Sequence, residues 1–550
     1  MFLYLNAASA KPVLEHMSLE EKIGQLFIVP ACELRGEDHF DDILRIIKEC
    51  HVGGFLFKQG TAQGQVDLIE KLKLASDMPP LMVQDGEWGV GMRLNDVISF
   101  PKNLTLGAIQ DLELLYQLGQ EIGSQCRLVG AHLNLAPVVD VNSNPGNPII
   151  HTRSFGEDPL EVAKRGEKVM QGIQSMGVLA CAKHFPGHGD TSVDSHVDLP
   201  TINCSRERMQ RVELLPFEWM IRSGIQAVMT AHIDVPAYAE IKSYPATFSP
   251  RIVSQLLQTE LGFDGLVITD ALNMKALSKS YSAGDIALYA FLAGHDLLLY
   301  GDHIAPNVDE ILRAEVPQAF LAIKEAVRNG VISEEMIDQR VKKVLEIKEA
   351  LGLFNEVAQI RVGNVRNRIN TPEAFALKKR LFDEAATLVY DIGILPLPSE
   401  KIAFVEWGDG GVLSERLKAE HDVDVYSLSD PDLFGQLQRY SKIVLCLSKY
   451  RSFARDFGMN REEEGLIRSL VELKVPVVTI VFGTPYSLAM LPTFSALLIC
   501  YENEKEAQEA AAEVLLGHLS PHGRLPVSLP SSALGLDQIN GRGTTPFVSQ

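Results

Sequence analysis

The strongest constraint on the fold is a series of short apolar runs separated by longer amphipathic stretches. Seven runs occur within the first 300 residues, at 53–57, 80–84, 132–136, 178–182, 226–231, 265–269 and 296–300. Continuous apolar runs of this length between helical stretches are typical of buried parallel strands in βα units. With an eighth strand expected near residues 25–30, the pattern predicts an α/β fold with a (β/α)8 TIM-type barrel.

A second α/β pattern begins at about residue 391. Its predicted strands are 401–406, 422–428, 442–447, 475–482 and 495–501, with helical stretches between them. This alternation predicts a doubly wound α/β sandwich domain. No GxGxxG or P-loop pattern accompanies these strands, so we assign no nucleotide to them. The expected domains are a barrel at 12–352, a linker and connecting helix at 353–390, and the sandwich domain at 391–550.

Composition and net charge argue against several classes of binding partner. The net charge is -20, which would repel the phosphates of nucleic acids and of anionic membrane surfaces. No apolar stretch approaches the roughly 20 residues of a membrane span. The seven cysteines are scattered and form no CxxC pair, which argues against a disulfide framework or a structural zinc site.

The start of the chain, "MFLYLNAASAKP", leaves the compartment open. Its Ala-Ser-Ala resembles the end of a signal peptide, but a basic region is missing and the apolar part is short. A trimmed signal, a misplaced start codon and a disordered tail all fit this pattern. Cytoplasmic and periplasmic or extracellular locations therefore both stay open, and so does the oligomeric state.

Ionisable side chains follow several of the predicted strands. These residues are Asp85, Asp140, Lys183 with His184, His232 and Asp270. In (β/α)8 barrels the active site lies at the carboxyl ends of the strands, so the pattern predicts a site for a small polar ligand. Taken alone, Asp270 fits the N-cap of a following helix. Among the other strand-end groups it is better explained as a nucleophile.

The stretch "KHFPGHGDTSVDSH" at 183–196 is rich in titratable groups. Its three histidines do not fit a helical zinc motif, because Pro186 and the glycines break any helix. A metal site stays open as one interpretation, and acid–base chemistry is the other. Asp194 and His196 are two residues apart, so in an extended loop they share a face. A carboxylate there would orient the imidazole and favour its protonated form.

These residues resemble a known family. The loop "KHFPGHGDTSVDSH" together with "VITDALNM" is similar to glycoside hydrolase family 3, in its β-N-acetylglucosaminidase (β-hexosaminidase) branch. Further blocks in the same order are "DGEWGVGMRL" (85–94), "APVVDVNSNP" (136–145), "RSFGEDP" (153–159), "PATFSP" (245–250) and "GRLPVSLP" (523–530). The resemblance covers nearly the whole chain.

The resemblance implies a role for each matching residue. Asp270 matches the catalytic nucleophile, and His196 matches the general acid/base with Asp194 as its partner. Residues that match those holding the sugar hydroxyls are Asp85, Arg93, Arg153, Lys183 and His184. His232 fits either a pocket-lining or a structural role, and no cofactor or metal is implied.

The implied activity is that of a retaining exo-β-N-acetylglucosaminidase. Within that branch the expected substrate is a peptidoglycan fragment, a muropeptide with terminal β-linked N-acetylglucosamine, which implies cell-wall turnover or recycling in a bacterium. One departure concerns Trp88, which stands in "DGEWG" where the family loop has glycine. It fits packing beside the barrel or an aromatic platform at its mouth, so leaving-group specificity stays open.

Three alternatives compete with this hypothesis. An N-acetyl-β-glucosaminide phosphorylase would use phosphate in place of water, and a histidine acid/base would admit phosphate better than a carboxylate. A β-glucosidase or β-xylosidase is disfavoured by the loop. A non-catalytic sugar-binding homologue is disfavoured because Asp270, Asp194 and His196 are all present. The C-terminal domain fits a structural or an interaction role.

Overall fold

The computed structural model describes residues 10–195, 197–238, 244–301, 308–355, 363–451 and 454–529. His196, the expected acid/base, lies outside the described residues, as do the first nine residues of the chain.

The chain forms two compact units. The first comprises Met1–Phe100, Leu115–His151 and Pro159–Ala374, and the second comprises Pro101–Leu114, Thr152–Asp158 and Phe375–Gln550. Two short segments that lie early in the sequence thus belong to the second unit. The sequence-based boundaries at 352 and 390 refer to domains that would fold independently. These boundaries stay a prediction.

The first unit contains an eight-stranded parallel sheet that is nearly closed into a barrel. Its strands are β1 Phe27–Ala31, β2 Gly54–Phe57, β3 Leu81–Gln84, β4 Leu133–Asn134, β5 Leu179–Phe185, β6 Ala227–Thr230, β7 Leu266–Thr269 and β8 Leu298–Leu299. They pair in the order β7-β6-β5-β4-β3-β2-β1-β8. A parallel bridge between Ile268 and Leu297 joins the two ends of this order. The predicted barrel is confirmed, including the eighth strand near residues 25–30.

The barrel strands are buried on both faces, which explains their continuous apolar sequences. In β1, Phe27 and Val29 belong to one apolar cluster, together with residues of the surrounding helices. Ile28, between them, belongs to a second cluster built from the strands. Successive side chains of a strand point to opposite faces, so each strand needs apolar residues at every position.

Helices follow or connect the strands of the first unit. Apart from Asn103–Leu106 and Pro372–Ala385, the α- and π-helices of the first 374 residues span Ala10–His16, Leu19–Gly24, Gly36–Cys50, Ala62–Ala75, Leu112–Leu128, Pro159–Ser175, Arg206–Arg211, Leu215–Arg222, Arg251–Glu260, Lys275–Ser278, Ala283–Ala293, Val308–Glu310, Ile311–Glu315, Val316–Arg328, Glu334–Ala350 and Val365–Ile369. Among the described residues, no helix is both long and apolar enough to cross a bilayer.

The second unit is built on a six-stranded sheet. Its strands are β9 Thr387–Asp391, β10 Ile402–Trp407, β11 Val423–Ser427, β12 Ile443–Leu447, β13 Val477–Val481 and β14 Ala496–Ile499, in the order β11-β10-β12-β13-β14-β9. The α-helices in or entering this unit are Asn103–Leu106, Pro372–Ala385, Gly411–Lys418, Leu433–Leu437, Arg461–Glu472 and Lys505–Leu516. The five parallel strands confirm the predicted doubly wound sheet.

One strand was missed from the sequence. We expected 353–390 to hold a polar stretch and a helix, but β9 follows the helix Pro372–Ala385 and pairs antiparallel with β14. Its five residues, Thr387–Asp391, directly continue the apolar pattern of that helix. A run this short carries no periodicity that separates a strand from the end of a helix.

A buried lysine closes the amino-terminal end of the barrel. The Lys348 ammonium nitrogen lies 2.7 Å from the Gln25 amide oxygen and 2.8 Å from the Gly53 carbonyl oxygen. Both partners precede strands, β1 and β2. Lys348 is fully buried, and burial lowers the pKa of its amine to about 7.

We expect Lys348→Met to change how stability depends on pH. Between about pH 7 and 10 the unfolded chain binds more protons at this lysine than the folded chain, because its folded pKa is lowered. This group therefore makes the free energy of unfolding rise with pH in that window, and the variant loses this rise. Urea unfolding from pH 7 to 10 measures it. The exposed Lys342→Met in the same helix is the control, and an equal pH profile in both variants would contradict the assignment.

Candidate active site

Ionisable side chains gather at the carboxyl end of the barrel strands. Asp85 directly follows β3, Lys183 and His184 lie near the end of β5, and Asp270 directly follows β7. The carboxyl ends of parallel strands share one side of a barrel, so these groups lie on the side where active sites of such barrels form.

Four charged side chains form a cluster, in which Lys183, Asp85 and Glu87 are buried and Arg93 is half-buried. The Lys183 ammonium lies 2.8 Å from Asp85 Oδ1 and 2.8 Å from Glu87 Oε1. Arg93 binds the same Asp85, through an ion pair with Oδ2 and a 3.2 Å hydrogen bond from Nε to the carbonyl oxygen. In their ordinary ionisation states two cations balance two carboxylates. The cluster thus offers a polar surface without net charge.

Strand β5 is irregular where it supplies this site. Its register with β6 shifts between Ala182 and Phe185, so the pairing skips Lys183 and His184. Lys183 binds Asp85, which follows β3, and His184 binds Asp140, which follows β4. In a regular strand two consecutive side chains would point to opposite faces. The shift allows both of them to bind carboxylates beyond the strand ends.

The Asp140 carboxylate fixes the start of the 183–196 loop. It is fully buried and accepts hydrogen bonds from the backbone N–H groups of His184, at 3.1 Å, and His188, at 2.7 Å. Its Oδ2 also lies 2.7 Å from His184 Nδ1. Burial opposes its ionisation, but the charge and hydrogen bond of His184 and the contacts with His188 outweigh it and hold the pKa of Asp140 below its ordinary value.

The middle of the loop is anchored by further contacts. Asn147 Nδ2 donates to the carbonyl oxygens of His188 and Gly189, at 2.9 and 3.0 Å. The His188 ring is buried, with Nδ1 2.9 Å from Thr191 Oγ1. A Cβ atom at Gly189 would come within 1.6 Å of the Val141 carbonyl oxygen. His188 therefore shapes the loop, and Gly189 serves close packing here.

Asp270 does not act as a helix N-cap. The helix that follows it begins at Lys275 and has Met274 at its N-cap. The half-buried Asp270 instead accepts the N–H of its neighbour Ala271 on Oδ1, at 2.7 Å, and its own N–H donates to the Thr230 carbonyl oxygen. The capping interpretation of this carboxylate is therefore wrong.

His232 supports the backbone that follows Asp270. Its Nε2 lies 3.0 Å from the Ala271 carbonyl oxygen, which can only accept, so Nε2 carries a proton. Its Nδ1 lies 2.7 Å from Thr247 Oγ1. The ring is 1% exposed. Of the two roles considered for His232, these contacts favour the structural one.

The remaining expected residues occupy other positions. The carbonyl oxygen of the half-buried Asp194 accepts hydrogen bonds from the N–H groups of Val197 and Asp198, at 2.9 and 3.0 Å. Arg153 belongs to the second unit, where its carbonyl oxygen accepts a 2.7 Å hydrogen bond from Asn103 Nδ2. Within the described ranges, no three His, Cys, Asp or Glu side chains are grouped to hold a metal ion.

Comparison with models of known families identifies the family of this chain. Residues 18–347 match the glycosyl hydrolase family 3 N-terminal domain, and this match alone spans more than half of the chain. The chain belongs to glycoside hydrolase family 3. Residues 441–546 of this glycoside hydrolase match the C-terminal domain of the same family.

Named relatives of this family 3 enzyme include solved and curated proteins. A family 3 β-N-acetylglucosaminidase structure from Paenibacillus sp. str. FPU-7 is 33% identical, with a TM-score of 0.79, over 93% of this chain and 99% of that chain. Beta-hexosaminidase A of Pseudoalteromonas piscicida is 29% identical over 89% of this chain and 91% of its own length. Beta-hexosaminidase LpqI of Mycobacterium tuberculosis is 30% identical over 60% of this chain and 83% of its own length.

Two residues of the site carried no role in the sequence-based prediction. Glu87 shares Lys183 with Asp85, and its only sequence signal is its place beside Asp85 in the "DGEWG" block. Asp140 was noted at a strand end but received no function. Its partners lie 44 and 48 residues away in sequence, so its role depends on the pairing of β4 with β5.

We expect Gly189→Ala in this family 3 enzyme to lower activity strongly. The added methyl group would collide with the Val141 carbonyl oxygen, so the loop that begins at Lys183 must shift. We expect kcat/KM to fall by about 10²-fold, the cost of a displacement of roughly 1 Å at a reacting group. Gly146→Ala, in the adjacent loop with only a 3.3 Å neighbour, is the matched control. Equal activity of the two variants would show that the anchoring of Gly189 is irrelevant.

Proposed function

We propose that this glycoside hydrolase is a retaining exo-β-N-acetylglucosaminidase that removes terminal β-linked N-acetylglucosamine. The observation that carries the proposal is the 33% identity, over 93% of the chain, to a structure named as a family 3 β-N-acetylglucosaminidase. The "DSH" segment of the loop, which resembles that branch of the family, supports the same sugar.

The cluster of four charged side chains, whose charges sum to zero, is proposed as the sugar-binding subsite. Carboxylates accept hydrogen bonds from sugar hydroxyls, and ammonium or guanidinium groups donate to them. Asp85, Lys183 and Arg93 supply both kinds of group in a buried setting, held in place by their mutual contacts. His184, oriented by Asp140 through Nδ1, is proposed to contact the same sugar. For Arg153 a sugar-binding role stays a proposal from the sequence resemblance alone.

Asp270 is the proposed nucleophile. Its position directly after β7, at the same end of the barrel as Asp85 and Lys183, supports this role. In the first step its carboxylate would attack the anomeric carbon while the bond to the leaving oxygen breaks. The product of this step is a glycosyl ester on Asp270, the intermediate of a retaining glycosidase.

His196, paired with Asp194, is the proposed general acid/base. As imidazolium it would give its proton to the leaving oxygen in the first step. As neutral imidazole it would then take a proton from the water that hydrolyses the ester, which regenerates both residues. This histidine takes the place of the second carboxyl group that most retaining glycosidases use.

Muropeptide fragments of peptidoglycan are the proposed substrates. Their terminal N-acetylglucosamine is β-linked to N-acetyl- or anhydromuramic acid, which often bears peptide. The resemblance of the loop to the N-acetylglucosaminidase branch supports this class, and the relatives named above are bacterial proteins. In a bacterium this reaction would serve cell-wall turnover or recycling.

Sugar selectivity and the nucleophile are tested together. We expect the wild-type enzyme to hydrolyse an aryl N-acetyl-β-glucosaminide far faster than the matching aryl β-glucoside. Asp270→Asn should lower kcat by roughly 10³-fold or more, because it removes the covalent route. Asp264→Asn, an exposed aspartate just before the same strand, is the matched control. Equal rates on both sugars would remove the proposed specificity, and a fully active Asp270→Asn would remove the nucleophile.

Leaving-group dependence tests the acid/base. General acid assistance contributes about 10²–10⁴-fold when the leaving group is poor and little when it is good. His196→Ala should therefore lose far more activity on disaccharide or muropeptide substrates than on activated aryl glycosides. Steady-state kcat/KM across a series of leaving groups measures this. An equal loss on every substrate would be incompatible with the acid role.

Product analysis separates hydrolysis from phosphorolysis. Under the proposal, free N-acetylglucosamine is the main product whether or not inorganic phosphate is present. N-acetylglucosamine 1-phosphate as the main product in phosphate would instead establish the phosphorylase.

A further inference from the structure

The chain on both sides of position 196 is bound to other parts of the first unit. Ser195 precedes the proposed acid/base, and Val197 and Asp198 follow it. Consecutive Cα atoms are about 3.8 Å apart, so the contacts of these flanking residues determine where the chain places residue 196.

The Ser195 side chain contacts the ring of His188. Ser195 is 3% exposed, and its Oγ lies 3.3 Å from His188 Nε2. The other ring nitrogen, Nδ1, lies 2.9 Å from Thr191 Oγ1, whose hydroxyl group donates to the His188 carbonyl oxygen at 3.0 Å. A hydroxyl group has one hydrogen, so Nδ1 donates to Thr191, and Nε2 of the neutral ring accepts from Ser195. His188, which shapes the loop, therefore also holds the residue before position 196.

The Ser195 backbone is bound to the segment that carries the proposed nucleophile. Its carbonyl oxygen accepts a hydrogen bond from the Ala276 N–H at 3.3 Å. Ala276 belongs to the short helix Lys275–Ser278, which follows Asp270. The acid/base loop and the nucleophile segment are thus joined directly, within one compact unit.

The turn that leads into this helix is held against the end of β8. Asn273 Nδ2 donates to the Gly301 carbonyl oxygen, and the Gly301 N–H donates to Asn273 Oδ1 at 3.0 Å. The Leu272 N–H donates to the Leu299 carbonyl oxygen at 2.9 Å. Because the turn after Asp270 is fixed in this way, the helix is a firm support for the loop that binds to it.

An ion pair joins the other side of position 196 to the same helix. Lys279 directly follows the helix, and its Nζ lies 3.2 Å from Asp198 Oδ2. Asp198 Oδ1 accepts the N–H of its neighbour Leu199 at 2.9 Å. The Leu199 N–H and the Lys279 ammonium hold the pKa of Asp198 below its ordinary value. The carboxylate is therefore ionised at neutral pH, with one oxygen directed at Lys279.

Polar contacts matter here because the loop buries little apolar surface around position 196. Val193 is 39% exposed and Val197 is 57% exposed. A segment with few buried apolar contacts opens at a small cost in free energy, so a single exposed ion pair shifts its population measurably. The same ion pair would contribute little to the stability of the whole fold, because solvent screens it.

We infer that Lys279 is a positioning residue for the general acid/base. Through Asp198 it holds the chain that follows position 196 on the helix Lys275–Ser278, while the contacts of Ser195 hold the chain that precedes it. The inference rests on the proposed function of His196. It gives Lys279 a role that is exerted through the loop, without contact to the sugar.

A charge swap tests this role. Lys279→Asp places two carboxylates where the ion pair lies, which repels the loop from the helix. We expect kcat/KM for phenyl N-acetyl-β-glucosaminide, which has a poor leaving group, to fall by roughly 5-fold. For the dinitrophenyl glycoside, which needs little proton donation, kcat/KM should stay within about 2-fold of wild type and so show that the variant is folded. Asp198→Lys combined with Lys279→Asp restores an ion pair of reversed polarity and should restore the lost activity.

Two reference variants distinguish the possible failures. Lys275→Asp makes the same change of charge at an exposed position of the same helix and should leave kcat/KM for both substrates as it was. His196→Ala measures the leaving-group dependence when the acid/base is lost. If His196→Ala loses activity equally on both substrates, the proposed acid role fails and the inference fails with it. If His196→Ala shows the dependence but Lys279→Asp does not, or if Asp198→Lys brings no rescue, the acid role stands and the positioning role of Lys279 is refuted.

Discussion

The buried carboxylate of Asp140 is the interaction on which the arrangement of the active-site loop depends. A buried charge is tolerated only when hydrogen bonds surround it, and here the donors are the backbone and ring of His184 and the backbone of His188. These donors are the first residues of the loop, so satisfying Asp140 forces the chain to turn at this point. Asp85 plays the corresponding part for Lys183. Two acidic residues beyond β3 and β4 thus dictate where two cationic or titratable residues of β5 come to lie.

Most of the fold was predictable from the sequence, because buried parallel strands have a clear sequence pattern. A strand that is covered on both faces needs apolar residues at every position, and seven of the eight barrel strands were found in this way. The eighth, Phe27–Ala31, lies near residues 25–30, where it was expected. The strand Thr387–Asp391 was missed because it directly follows a helix and pairs antiparallel at the sheet edge. The assignment of 101–114 and 152–158 to the second unit was equally out of reach. It arises from tertiary contacts that no local pattern records.

The candidate site was predictable in its residue types and less so in its geometry. Position after a strand pointed to Asp85, Lys183 and Asp270, since the carboxyl ends of parallel strands share one side of a barrel. The partners of each side chain were not predictable, because Lys183 and Asp85 are 98 residues apart and meet through strand register. The same holds for Glu87. For Asp270 the local signal fitted a helix cap, the other strand-end groups favoured a nucleophile, and the position of the next helix excludes the cap. The role of His196 stays a prediction from sequence.

The register shift in β5 has a consequence for how this enzyme can evolve. Lys183 and His184 are consecutive and yet bind different carboxylates. Both contacts therefore depend on the number of residues between Ala182 and Phe185. Substitutions can change either contact separately. Loss of one residue here would restore a regular strand and turn one of the two side chains away from its carboxylate. Chain length, as well as residue identity, is therefore under constraint in this segment, and insertions or deletions should be tolerated elsewhere in the loop before they are tolerated here.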